Sequence, residues 1–229
     1  MKGVLVYAGH MGLYDGNNAY GINVSIPAGR KGMCLCAMVS QCNYGEGYVT
    51  PSPATIRFGS SSGPVFTSRQ SATIDRHVTN NPYLRARSEL LTYDVPETSN
   101  GTVLLDIRFT AGPSSGDVFV YLLYGAKYGN STQTSGTGNS TTLNSSLDLG
   151  GYVFGQVFHV DSTPSISEYN GVTIVNSKTY TSVGTSITMM EYLKAGSQYK
   201  TVNGGGTWGS SKSFIHTRVA FNALGKEYM

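Results

Sequence analysis

Tyr20-Gly21-Ile22-Asn23-Val24-Ser25-Ile26 alternates apolar residues with small or polar ones without a break. Side chains of an extended strand point to opposite faces in turn. This stretch therefore puts Tyr20, Ile22, Val24 and Ile26 on one face and leaves the other to water. The same period of two returns in Val103, Leu105, Ile107 and Phe109, set between Leu104, Asp106 and Arg108. It returns again in Ile215, Thr217, Val219 and Phe221, with His216 and Arg218 pointing away. All three segments read as half-buried antiparallel strands.

Outward from these lie runs that are apolar on both faces: Met33 to Val39, Val118 to Tyr124 and Tyr152 to Val160. They read as central strands covered on both sides. Weaker strand signals fall at 3–8, 54–58, 64–68, 86–95, 172–175 and 181–190. Turn signals separate the runs, at Pro27-Ala28-Gly29, at Gly59 to Pro64 and at Ala111 to Gly116. Asn100-Gly101 is placed as the turn of a tight hairpin would be. Met189 to Ala195 is the best helix candidate and is short. The fold expected is all-β: an antiparallel β-sandwich, jelly-roll-like, with long Gly/Ser/Thr loops and very little helix.

One domain spanning residues 1–229 suits this length, since single all-β domains of roughly 200–250 residues are ordinary. Residues 1–20 read as an N-terminal strand or arm. Lys127 to Thr142, nearly all Gly, Ser, Thr and Asn, reads as a long polar loop. The residues beyond it read as completing the same sandwich. Met1 to His10 carries an apolar stretch of only about five residues, short of a secretory core, and reads as a strand.

Charged residues make up 13% of the chain, about half the usual share, so the surface is wetted by hydroxyls and amides. The 16 Lys and Arg are scattered, which argues against a nucleic-acid partner. No apolar run reaches the roughly 20 residues of a membrane-spanning helix. Five Asn-x-Ser/Thr sequons, at Asn23, Asn100, Asn130, Asn139 and Asn144, read as a by-product of a chain rich in those residues.

No constellation points to chemistry. Cys34, Cys36 and Cys42 lack the paired spacing and nearby histidines of a zinc site and read as buried small thiols. A disulfide from Cys42 to one of the others stays open. His159 with Asp161, and His10 with Asp15, have no serine elbow to activate. Asp94, Glu97, Asp106 and Asp117 could be paired as glycosidase carboxylates only on paper. Asn203 to Gly209 lacks the Gly-Lys-Ser/Thr of a phosphate loop and reads as a flexible turn displaying Trp208. No catalytic residue, cofactor or metal is expected. A contact surface would draw on Lys2, Tyr14, Arg30, Lys31, Tyr128, Tyr199 and Trp208, of which the aromatics and the arginine are of the kind enriched at interfaces.

Segment order over 22–126 is distinctive. Ile22 to Gly29 leads into Met33 to Val39; Ala54 to Gly59 and a short strand at Val65 follow. Then come Leu90 to Glu97, Gly101 to Phe109 and Gly116 to Ala126. This order resembles a jelly-roll module of tailed-phage virion proteins and bacterial surface proteins. The resemblance covers a little under half the chain and transfers no functional residue. It implies a non-enzymatic capsid decoration (cement) protein in the virion, assembled in a host cytoplasm. Its partners would be the major capsid protein or other virion proteins. A homo-oligomer, by preference a trimer, would form. The alternative is a carbohydrate- or receptor-binding module of a tail or fibre, with a glycan as ligand.

Overall fold

The computed structural model describes residues 4–14, 16–44, 50–78, 81–147, 151–160, 173–182, 185–195 and 200–224. Every element among them is a strand. In chain order they are β1 (Val4–Tyr14), β2 (Ala19–Ile26), β3 (Met33–Tyr44), β4 (Ala54–Phe58), β5 (Thr67–Val78), β6 (Asn81–Val95) and β7 (Gly101–Phe109). Then follow β8 (Ser115–Tyr124), β9 (Ala126–Leu147), β10 (Tyr152–Val160), β11 (Thr173–Ser182), β12 (Thr185–Ala195) and β13 (Lys200–Ala223). All pairings are antiparallel, as the alternating sequence requires.

The strands form a central sheet β1-β8-β3-β6-β5, a small outer sheet β2-β7-β4 and a C-terminal sheet β11-β12-β10-β13-β9. The inner strands β3 and β8 of the central sheet have no free face. Leu35, Ala37 and Val39 of β3 join Val118, Val120 and Leu122 of β8 in one core, against Ile22, Val24, Leu105 and Ile107 of the outer sheet. Their neighbours Cys34, Cys36 and Met38, with Phe119, Tyr121 and Leu123, join a second core against Phe158, Ile215, Val219 and Phe221 of the C-terminal sheet. That double burial is why these two runs are apolar at every position. In the outer sheet, covered once, β2 keeps strict alternation: it is buried at Tyr20, Ile22, Val24 and Ile26 and exposed at Gly21, Asn23 and Ser25.

Five expectations need correction. First, 127–142 is not a loop: β9 runs through it, paired with β13 from Ala126↔Ala223 to Leu147↔Lys200. Second, the C-terminal residues join the stack as a further layer on the central sheet and add no strand to the first two sheets. The sheets divide at Gly125 (φ 60), and none takes strands from both sides of it. Third, 189–195 lies in β12, because pairing to β10 and β11 on either side outweighs its helix propensity. Fourth, Asn100-Gly101 closes no hairpin. A turn with Ser99 N–H donating to Pro96 O (2.9 Å) carries the chain from β6 in the central sheet to β7 in the outer one. Fifth, His216 and Arg218 do not face water; both are 0% exposed.

The fifth correction follows from the path of the β9–β13 ribbon. His216 pairs in register with Thr134, yet its Nδ1 lies 3.2 Å from Thr141 Oγ1. Seven residues of straight strand would separate those positions by roughly 23 Å. The ribbon therefore folds back. The fold lies where the register breaks between Thr207 and Lys212, opposite Ser140 and Gly138. The returning limb covers the back of the sheet, and Arg218 Nη1 donates to Leu143 O. Gly204, Gly205 and Gly206 are consequently buried and paired in β13, not a flexible turn. A Cβ on Gly205 would meet Thr141 O at 1.8 Å.

Two predictions follow. Gly205→Ala should destabilise the protein by about 1–3 kcal/mol in denaturant unfolding, the usual cost of overpacking, since the clash is with backbone. Cys34, Cys36 and Cys42 are free thiols, 0% exposed, on the face of the central sheet that the C-terminal sheet covers. Burial pushes the Cys42 thiol up to about 12, and burial raises Cys34 as well, with Asp94 beside it adding to the rise. An aqueous thiol reagent should leave the native protein unmodified and titrate all three thiols after denaturation.

Candidate functional site

Of the seven residues expected at a contact surface, Lys2 and Tyr199 lie outside the described residues. Tyr14 and Trp208 have their backbones in β1 and β13, and their side chains lie outside what is described. The remaining three fall into two groups. Arg30 and Lys31 are exposed in the turn between β2 and β3. Arg30 sits over the Tyr124 ring at 5.8 Å, and Lys31 Nζ is 3.8 Å from Glu97 Oε2. That pair is more than half exposed, so solvent screens most of its energy. Tyr128 belongs elsewhere. Its ring lies 4.1 Å under the Arg69 guanidinium and edge-on to Phe221, and its hydroxyl is 2.8 Å from Ser131 Oγ. It fastens β9 to β5, helped by Gln70 Nε2 donating to Ser131 O (3.0 Å).

The four carboxylates weighed as catalytic are engaged separately. Asp106 accepts from Arg108 Nε through both oxygens at 3.0 Å, Glu97 faces Lys31, Asp94 is exposed and Asp117 is buried. His10 and His159 have undescribed side chains, and Asp15 and Asp161 lie outside the described residues. Among the described residues no three His, Cys, Asp or Glu side chains gather to hold a metal.

Two internal clamps went unread in the sequence. Glu89 Oε2 accepts from Ala54 N–H (2.8 Å) and Gln41 Nε2 (3.5 Å), and Gln41 Nε2 also donates to Ser52 O (2.7 Å). Arg87 Nε donates to Pro51 O (2.7 Å). Together they sew residues 51–54 onto β3 and β6, so that β4 starts in register. Burial raises the Glu89 pKa; the Ala54 N–H, Arg87 and Gln41 pull it back down. Parity carried a signal here, because Glu89 shares a strand face with Leu91 and Val95. The second clamp is His216 with Arg218, on the β13 face that also holds Phe214 and Ala220. Burial, with Arg218 adding to it, pushes the His216 pKa down to about 3.

What remains for the surface is β9. Among the described residues it is an edge strand, with β13 its one hydrogen-bonded strand neighbour. From Tyr128 to Leu147 it holds no charged residue and no proline. Asn130, Ser135, Thr137, Asn139, Ser140, Thr142, Asn144 and Ser146 are exposed along it. Edge strands are usually guarded by a lysine, a proline or an inward-pointing charge against pairing with another chain. This one presents hydroxyls and amides instead, which can bond a partner without the cost of desolvating a charge. No family model, curated protein or solved structure matches the chain.

The second clamp makes stability depend on acid. The folded protein keeps a proton off His216 down to about pH 3, whereas an ordinary histidine takes one up below about 6.5. His216 therefore contributes its full stability above pH 6.5 and loses it as the pH falls, at up to about 1.4 kcal/mol per unit. Unfolding midpoints of the wild type should drop through this range. His216→Asn should start lower and fall less steeply.

Proposed function

We propose that this chain is a non-enzymatic structural protein of a bacteriophage particle, a capsid decoration protein that stabilises the head through subunit contacts. The observation that carries the proposal is the unguarded edge of β9. The three thiols are sealed between sheets, Glu89 and Arg87 hold residues 51–54, and His216 and Arg218 hold the folded ribbon. A long, uncharged, hydrogen-bonding strand is left facing outward. The jelly-roll resemblance of 22–126 supports the phage setting, and a homo-oligomer, a trimer by preference, gives several such edges to one lattice position. A contact of this kind should bury at least about 1,000 Å².

A carbohydrate- or receptor-binding role is the second reading. It is favoured by the same exposed row, because hydroxyls and amides without charge also match a polyhydroxylated ligand.

Ser135→Lys and Thr142→Lys each put a charge on an exposed position of the edge. Unfolding midpoints should stay within the scatter of surface substitutions, about 0.5 kcal/mol. Binding to expanded capsids from the host phage should weaken by about tenfold or more, equivalent to about 1.4 kcal/mol. Wild-type protein that fails to bind capsids, and leaves their resistance to heat unchanged, would overturn the proposal. Retention on a glycan array, lost in the same variants, would install the second reading in its place.

A further inference from the structure

The seam between the central and C-terminal sheets is apolar along most of its length, but two polar rows cross it. On the central sheet, Ser88, Ser40 and Asp117 stand side by side on β6, β3 and β8. Ser40 shares its strand face with Cys36, Met38 and Cys42; Ser88 shares its face with Ala86 and Leu90; Asp117 shares its face with Phe119 and Tyr121. On the C-terminal sheet, Gln133, Thr217 and Gln156 stand side by side on β9, β13 and β10. Thr217 lies on the face of Ile215 and Val219, and Gln156 on that of Tyr152 and Phe158. Both rows therefore project into the same core. Gln133 ties them together, its Nε2 donating to Thr217 Oγ1 (2.7 Å) and to Ser88 O (3.2 Å).

Gln156 stands out in this arrangement. It is 1% exposed, and neither its amide nitrogen nor its amide oxygen has a hydrogen-bond partner among the described residues. Leaving both unmet is costly, and buried polar groups of native proteins are nearly always satisfied by protein or by ordered water. Its neighbour Thr217 is also 1% exposed. Because Thr217 Oγ1 accepts from Gln133, its own hydroxyl hydrogen remains available to donate.

We propose that Gln156 and Thr217 form an enclosed hydration site in the seam, occupied by at least one long-lived water molecule. That water accepts from Gln156 Nε2 and Thr217 Oγ1 and donates to Gln156 Oε1. Three polar partners on paired strands are the number a buried water typically finds. The water completes a hydrogen-bonded path, Gln156–water–Thr217–Gln133–Ser88–Ser40, from the C-terminal sheet to the central one. The site fixes how the two sheets stack, because sliding one past the other would bring its polar atoms against apolar side chains. It does not depend on the role proposed for β9.

Protein labelled with 15N only at glutamine reports on this directly, through cross-relaxation between side-chain amide protons and water. The Gln156 amide, assigned by its disappearance in Gln156→Met, should show cross-peaks of the sign expected for water tumbling with the protein. Gln156→Met should not raise the unfolding midpoint, because it strands the Thr217 donor while removing the water. A Gln156 amide without such cross-peaks would overturn the proposal, and so would a midpoint several degrees higher in Gln156→Met. If Gln156→Met does not fold, Gln156→Glu serves for the assignment and the wild-type cross-peaks decide.

Discussion

The structure hangs on the inner strands β3 and β8 of its central sheet, which have no side facing water. They carry side chains into two different cores, and Leu35, Cys36, Val120 and Tyr121 are all buried within a few per cent. Fully burying side chains of this size contributes about 1.5–3 kcal/mol each, and here every residue along the strand contributes, not every second one. The gain exists only if both faces are covered. That demand calls for the outer sheet on one side and the C-terminal sheet on the other. Neither covering sheet takes a strand from the other part of the chain, so the seams between layers, not shared strands, join residues before and after Gly125.

A layered structure of this kind buries backbone and polar side chains far from solvent, and the polar residues sit where layers must be aligned. Glu89 starts β4 at the right place, Gln133 ties β9 and β13 to β6, and Thr141 and Leu143 receive His216 and Arg218 at the folded ribbon. Each is a directional bond in an otherwise non-directional apolar contact. Replacing one partner would leave the other buried and unmet, which costs more than the bond contributes. Alignment is a reasonable use for such groups, as fixing register is the best attested role of polar atoms in a core.

Much of this was legible from period alone. The doubly apolar runs at 33–39 and 118–124 named the central strands, and the strict alternation at 20–26 named a strand covered once. The failures share one cause. Where a segment lacks apolar residues of its own, its structure is decided by its partner. Lys127 to Thr142 has no hydrophobic face, yet β13 supplies Ile215, Val219 and Phe221 and holds β9 as a strand by backbone pairing. Met189 to Ala195 is made of good helix formers, yet it lies between β10 and β11. His216 and Arg218 were assigned to solvent because one covered face was assumed, and the second cover is the returning limb of the same ribbon. Of the expected contact residues, Arg30 and Lys31 were readable as exposed. Tyr128 was not readable as a clamp, because Arg69 comes from a strand distant in sequence.

The same dependence explains how an unguarded edge can be carried safely. A flat strand of 22 residues, with Lys127 near its start as the one charge, would invite copies of itself to pair along most of its length. β9 is not flat: the register break opposite Gly138 and Ser140 turns the ribbon back on itself, and Tyr128 and Ser131 tie its first turn of sheet to β5. The accessible edge is thereby cut into short, differently oriented pieces. Indiscriminate stacking of many chains is disfavoured, while a partner shaped to one piece can still add its own hydrogen bonds. An edge defended by curvature instead of charge keeps its polar atoms available for recognition. For a chain with only 13% charged residues, curvature guards the edge without drawing on them.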